Sequence, residues 1–195
     1  MTRSLVTGGA GFIGSHLVEA LLQRGDEVRI LDNFSTGGQS NLQHLAGAIQ
    51  IHEGDIRNAE DMQSALKGMD HVFHLAAMVS VPESIEHPDR CLEINVNAVF
   101  QLMELARQEG IKSLVLASST AVYGANELMP LKEEFAAQTL SPYAASKLFN
   151  ENLARIYAEN YGMHAVALRF FNVYGPRQLP DSDYAAVIPR FIHSL

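Results

Sequence analysis

Thr7-Gly8-Gly9-Ala10-Gly11-Phe12-Ile13-Gly14 decides how the chain is read. The apolar pair Leu5-Val6 leads into it, and an amphipathic stretch from Phe12 to Arg24 leads out. Gly8, Gly11 and Gly14 therefore sit where a strand meets a helix. Glycines there let the backbone turn sharply, approach a pyrophosphate and pack the helix against the strand. The helix N-terminus then aims unpaired N–H groups at the anion. The spacing is G-x-x-G-x-x-G, which differs from the G-x-G-x-x-G of the standard dinucleotide fingerprint.

The stretches that follow can be checked against that turn. Phe12, Ile13, Leu17, Leu21 and Leu22 recur at helical spacing, and Gly25 closes the helix. Val28, Ile30 and Leu31 form a strand ending at Asp32, 18 residues after Gly14. A carboxylate in that place accepts both ribose hydroxyls of an adenosine and repels a 2′-phosphate, which favours NAD over NADP. Asp32 also suits a turn, but its distance from the glycines favours the ribose role. Asn33 to Gly38 is a polar loop whose Asn33, Ser35, Thr36 and Gly37 join the expected cofactor contacts. Ile49 and Ile51 predict a third strand, followed by Gly54-Asp55-Ile56. Asp55 either accepts from an adenine amino group or caps the helix that begins near Asn58.

Ala59–Leu66 reads as a short helix and His71–Ala77 as a central strand, apolar apart from its histidines. The residues at its end, Leu75, Ala76 and Ala77, leave room for a flat ligand. His71 and His74 read as packed or hydrogen-bonded, because no Cys, Asp or Glu accompanies them at metal-site spacing, and no metal is expected. A long helix is predicted over Pro88–Gln108, with Leu92, Val96, Val99, Leu102, Met103 and Ala106 on its apolar side. The strand Leu114–Ala117 runs into Ser118-Ser119-Thr120. A second long helix spans Pro142–Tyr161, with Ser141 as N-cap, and Ala165–Leu168 is a sixth strand ending in Arg169-Phe170-Phe171-Asn172. Strands and helices alternate throughout, so the fold class is α/β, a doubly wound parallel sheet of Rossmann type. In such a sheet ligands lie beyond the carboxyl ends of the strands.

Tyr143 and Lys147 are four residues apart, which places them on one face of the second long helix. A neighbouring ammonium favours a phenolate and lowers the tyrosine pKa. Tyr143 can then exchange a proton with a sugar hydroxyl while hydride moves to or from a nicotinamide, and Ser119 can hold the same oxygen and relay the proton.

Composition bounds the rest. The 195 residues carry a net charge of −8 and no Lys/Arg-rich run, which argues against nucleic acid or an anionic membrane as partner. The single cysteine, Cys91, fits a buried thiol in a reducing compartment. With neither a signal-peptide pattern nor an apolar run near about 18 residues, a cytoplasmic protein is expected.

The chain resembles the extended short-chain dehydrogenases/reductases of the nucleotide-sugar epimerase and dehydratase group, most of all those of the UDP-glucose 4-epimerase type. The resemblance rests on the glycine turn, Asp32-Asn33, Gly54-Asp55-Ile56, His74-Leu75-Ala76-Ala77 and Asn95-Val96. It continues through Ser118-Ser119-Thr120-Ala121-Val122-Tyr123-Gly124, Tyr143-Ala144-Ala145-Ser146-Lys147 and Leu168 to Pro176. It implies a tightly held NAD, reduced and reoxidised within one turnover. Tyr143 is then the base, Lys147 its electrostatic partner and a ribose ligand, and Ser119 the relay. Phe12 and Ile13 offer backbone to the pyrophosphate, Asn95 helps hold the cofactor, and Phe171 lies near the nicotinamide. Ser80, Ser119, Tyr143 and Asn172 face a nucleotide-sugar substrate, expected to be UDP-linked.

Dehydratases of the group carry an Asp-Glu pair after the active hydroxyl and decarboxylases a Glu. This sequence has Thr120-Ala121, so epimerisation is the reading. Dehydration, decarboxylation, reduction, or an idle NAD-binding module are the alternatives. Val79 stands where similar epimerases often place a lysine. The two long helices, 88–108 and 142–161, imply a homodimer, with Phe149, Ile156 and Tyr157 as apolar residues beyond the core stripe. Similar enzymes continue into a smaller C-terminal substrate domain. The sequence therefore predicts an NAD-binding domain over 1–177, and over 178–195 the start of a truncated substrate-binding region, the usual small C-terminal domain being missing.

Overall fold

The computed structural model describes residues 1–178 together with 188 and 191. The expected substrate-binding region over 178–195 lies almost wholly outside the described residues.

Six parallel strands are present: β1 (Arg3–Thr7), β2 (Glu27–Asp32), β3 (Ile49–Glu53), β4 (His71–His74), β5 (Ser113–Ser119) and β6 (His164–Phe170). They lie in the order β3-β2-β1-β4-β5-β6. Pairing begins in register at the amino ends, Arg3 against Glu27 and Ser4 against His71, so all carboxyl ends finish on one side. The order reverses direction between β1 and β4, which opens the ligand crevice of a doubly wound sheet.

Period-2 alternation in β1 and β2 sends neighbouring residues to opposite faces. Val6, Val28 and Ile30 pack beneath α1 (Phe12–Gln23), through Val18 and Leu21. Leu5 and Leu31 face the other layer, formed by α2 (Ala59–Leu66), α5 (Ala98–Gln108) and α6 (Pro142–Tyr161). Fully burying one such leucine contributes about 2 kcal/mol.

The helix ends follow local chemistry. Asn58 Oδ1 accepts from the Glu60 and Asp61 N–H groups and starts α2. Ser141 Oγ accepts from Ala144 N–H at 3.1 Å, Pro142 opens α6, and Gly162 ends it in the left-handed region at φ 66°.

Four expectations change. The central strand stops at His74 rather than Ala77, since the chain turns toward α3 (Val81–Glu86). The long helix 88–108 is α4 (Pro88–Leu92) joined to α5 through a π turn, Glu93–Asn97. That extra residue per turn shifts the helical phase, so Cys91 and Asn95 are buried while Leu92 is 46 % exposed. Tyr157 does not belong to the outer apolar set. It is buried in the core and donates its hydroxyl to Glu104, whereas Phe149 and Ile156 are exposed. Asp55 caps no helix, because Asn58 holds that place. Among the described residues no helix is long and apolar enough to cross a membrane.

Candidate active site

The glycine turn is closed by contacts from three sides. Gly8 has φ 71°, and a Cβ there would meet Ala76 N at 2.7 Å. A Cβ on Gly14 would lie 2.1 Å from the Gly8 carbonyl oxygen. These two glycines are therefore demanded by the protein's own packing. A Cβ on Gly11 would meet only Gly8 O, at 3.3 Å, so the backbone at the start of α1 is open on its outer side. Gly11 is the N-cap and has no side chain to satisfy the helix N-terminus. The first-turn N–H groups of Phe12 and Ile13 therefore remain for an external acceptor.

Asp32 ends β2 and is buried. Its Oδ2 accepts from Ala10 N–H at 2.9 Å and its Oδ1 from Phe34 N–H at 2.9 Å. The carboxylate thus ties the glycine turn to the following loop and keeps lone pairs for a further donor. The second bond supports Phe34 at φ 54°. Asn33, Ser35 and Thr36 lie on the same loop, and Gly37 packs against Ala10, where a Cβ would meet the Ala10 carbonyl carbon at 2.6 Å.

Asp55 is occupied by other partners. Asn33 Nδ2 donates to its Oδ2 at 2.9 Å, and Arg57 donates to both its oxygens at 2.9 and 2.8 Å. Those Arg57 bonds hold its carboxyl far below the usual carboxylate range. Ile56 beside it is buried.

His74 and Thr7 meet at the carboxyl ends of β4 and β1. Thr7 Oγ1 accepts from Ala76 N–H at 3.3 Å, which leaves its proton for His74 Nδ1, 2.8 Å away. Burial, with the Lys147 charge second, lowers the His74 pKa to about 3. His71 Nδ1 lies 2.6 Å from Ser113 Oγ. Both histidines hold structure, as expected.

Ser119 is the last residue of β5 and accepts from Ala121 N–H at 3.1 Å, starting the 3-10 turn Thr120–Tyr123. Tyr143 lies in the first turn of α6, where its N–H donates to Ser84 Oγ at 3.2 Å. Ser146 Oγ donates to Tyr143 O at 2.7 Å. Lys147 is buried, with Nζ 5.6 Å from the centroid of the Tyr143 ring. The structure therefore brings Ser119, Tyr143 and Lys147 together at the carboxyl ends of the sheet.

The expected lowering of the tyrosine pKa is not what this geometry gives. Burial raises Tyr143, and the Ser119 hydroxyl opposes that shift only in part. Burial also lowers Lys147, to about 8. Sequence spacing shows the pair but not the loss of solvent around both members.

Two residues expected to touch ligand also hold structure. Asn95 in the π turn accepts from Met78 N–H and donates to Met78 O, both at 2.9 Å, and donates to Ser146 Oγ at 3.3 Å. It clamps the loop after β4 to α6. Ser80 is buried and caps α3, accepting from Glu83 N–H at 2.9 Å. Phe171 and Asn172 follow β6 and are exposed.

A supporting network escaped the sequence reading. Arg169 donates to Glu151 through Nε and Nη2, each at 2.8 Å, and stacks over Tyr123 at 4.7 Å. Ser118 Oγ donates to the same carboxylate at 2.5 Å. Burial would raise Glu151, but Arg169 and Ser118 outweigh it and lower its pKa. β5, β6 and α6 are thereby locked next to Ser119.

Comparison with known proteins places this geometry. Residues 4–195 match the NAD dependent epimerase/dehydratase family. The chain is 39 % identical over 193 residues to a putative UDP-glucose 4-epimerase of Methanocaldococcus jannaschii, covering 98 % of this chain and 62 % of that one. It superimposes with TM-score 0.93 and 45 % identity on the UDP-N-acetylglucosamine 4-epimerase of Methanobrevibacter ruminantium, solved with UDP-N-acetylmuramic acid. That match covers 98 % of this chain and 62 % of that one. The UDP-glucose 4-epimerase of Thermus thermophilus, solved with NAD, gives TM-score 0.87 and 42 % identity, over 93 % of this chain and 59 % of that one. The chain thus spans about three-fifths of the length of these proteins.

Proposed function

The chain belongs to the NAD dependent epimerase/dehydratase family, and from that premise we propose that it forms the cofactor-binding and catalytic part of an NAD-dependent 4-epimerase of UDP-linked hexoses. The observation that carries the reading is Ser119, Tyr143 and buried Lys147 at the strand ends beside an open glycine turn. The similarity to UDP-sugar 4-epimerases supports it.

The residues fit the cofactor. Phe12 and Ile13 N–H groups hold the pyrophosphate, and the free lone pairs of Asp32 take the adenosine ribose. Asn33, Ser35 and Thr36 line the adenosine side, and Ala76 and Ala77 make room beyond β4. Bound NAD supplies a hydride acceptor that returns the hydride later in the same turnover.

The remaining work is done by side chains. Tyr143, in its phenolate form, takes the proton from the sugar C4 hydroxyl as the C4–H bond gives up its hydride, which leaves a transient 4-keto sugar. Ser119 holds the same oxygen and passes the proton between it and the phenol. When the opposite face of the ketone is reduced, the proton goes back to that oxygen. Lys147, with a pKa of about 8, still carries its proton at neutral pH and offsets the phenolate charge that Tyr143 holds before it takes the sugar proton. Asn172 contacts the diphosphate and Phe171 the nicotinamide side.

Thr120-Ala121 places no carboxyl beside Ser119, so no group there drives elimination of water or loss of carbon dioxide. The exposed Leu92, Phe100, Phe149 and Ile156 on the two long helical stretches support a homodimer through them. The free, buried thiol of Cys91 supports a cytoplasmic protein.

Product analysis tests the reading. With UDP-galactose the expected product is UDP-glucose, and accumulation of a 4-keto-6-deoxy sugar would contradict it.

A further inference from the structure

The chain leaving β6 has little length to spare. β6 is the outer strand on its side of the sheet, while Gly175, Pro176 and Arg177 lie on α1, which follows β1. Three strand spacings separate β6 from β1, about 14 Å at about 4.8 Å each. The five residues from Phe170 to Gly175 reach at most about 17 Å. Phe171 to Tyr174 must therefore run almost straight over the carboxyl ends of β5 and β4, where Ser119 and Ala76-Ala77 lie. All four are exposed and lack regular structure.

The landing point is built from residues far apart in sequence. Arg177 Nη2 donates to Glu19 Oε2 at 2.7 Å and to His16 Nδ1 at 3.0 Å, and Nη1 donates to Asn41 O at 3.4 Å. His16 Nε2 donates to the Pro176 carbonyl at 3.0 Å. Since a carbonyl only accepts and a guanidinium only donates, these partners assign donation to Nε2 and acceptance to Nδ1. His44 meets the other oxygen of Glu19. Asn41 Nδ2 donates to Ala10 O at 2.8 Å, so the landing point is also tied to the glycine turn. Side chains of Glu19 and Arg177 are only 25 % and 20 % exposed, which limits screening of the pair.

We propose that Arg177, Glu19 and His16 form a clasp that fastens the 171–174 strap across the crevice and so positions Phe171 and Asn172. This rests on the NAD reading above and adds three positioning residues to it. None of the three lies at a strand end or touches Ser119, Tyr143 or Lys147. Arg177 holds φ 68°, a strained value for a residue with a side chain. The clasp contacts fix the backbone there.

The test compares the 195-residue protein with its Arg177→Met and Glu19→Gln variants by two readouts. The first is hydrogen exchange of residues 171–178 against β1, β5 and α6. The second is the rate of NAD release. Loss of a charged hydrogen-bond set predicts exchange about tenfold faster in the strap, with the three reference elements unchanged, and NAD release about tenfold faster. Arg177→Lys, which keeps one contact to Glu19, should fall between. Unchanged exchange in both variants would overturn the clasp. Faster exchange with unaltered NAD release would overturn its positioning role. Faster exchange in a chain that binds no NAD would uphold the clasp and contradict the functional reading instead.

Discussion

Acidification should unfold this protein partly through one histidine. His74 is fully buried at the end of β4, and burial lowers its pKa to about 3 from 6.5. Between those values the unfolded chain binds a proton that the folded chain refuses, so stability falls as pH falls. With RT of about 0.59 kcal/mol, the linkage amounts to about 0.2 kcal/mol at pH 7 and about 2 kcal/mol at pH 5. Taken to completion below about pH 3, it approaches about 5 kcal/mol as an upper bound. Lys147 does not interfere in this window. Its lowered pKa, about 8 against 10.5, makes stability rise with pH only above about 8. The perturbation is His74→Gln, which keeps an acceptor for the Thr7 hydroxyl and cannot titrate. Urea unfolding of both proteins at pH 7 and pH 5 measures the difference. Wild type should lose about 2 kcal/mol more than the variant between the two pH values. Equal losses would refute the reasoning, because they would mean that His74 protonates without unfolding the chain.

The glycine turn separates packing from binding. Gly14→Ala puts a Cβ 2.1 Å from a backbone oxygen and should cost about 3 kcal/mol or more in denaturant unfolding. Gly11→Ala finds only one neighbour at 3.3 Å and a φ of −75° that alanine accepts. It should stay within about 1 kcal/mol of wild type yet bind NAD about tenfold more weakly by fluorescence titration. Glu151→Gln takes away the carboxylate charge that pairs with Arg169. A cost of about 2 kcal/mol should lower the thermal midpoint by about 4–8 °C.

Local chemistry made much of this fold legible. The glycine turn, the Asp32 strand end, the Ser141-Pro142 start of α6 and the Tyr143–Lys147 spacing are each set by residues close together in the chain. The parallel sheet follows from alternating apolar runs, and β2 ends at Asp32 as expected, whereas β4 stops three residues short of Ala77. What stayed hidden depends on neighbours far apart. Asn95 and Ser80 look available in sequence, and only the folded chain shows that Met78, Ser146 and Glu83 use them. One π turn was enough to leave Leu92 outside on a stretch expected to bury it. The Tyr143 pKa rises because burial outweighs the Ser119 hydrogen bond, which spacing along one helix does not report. The clasp joins residues 158 positions apart, Glu19 and Arg177, with no motif to mark it.

The central claim is that Tyr143 moves the sugar proton in a crevice that holds NAD independently of it. The direct measurement mixes wild type and Tyr143→Phe with NAD and UDP-galactose and follows both NAD binding and reduced-nicotinamide absorbance. The expected result is equal NAD binding, with reduction and epimer formation in wild type and neither in the variant. Reduction at an unchanged rate in Tyr143→Phe would contradict it.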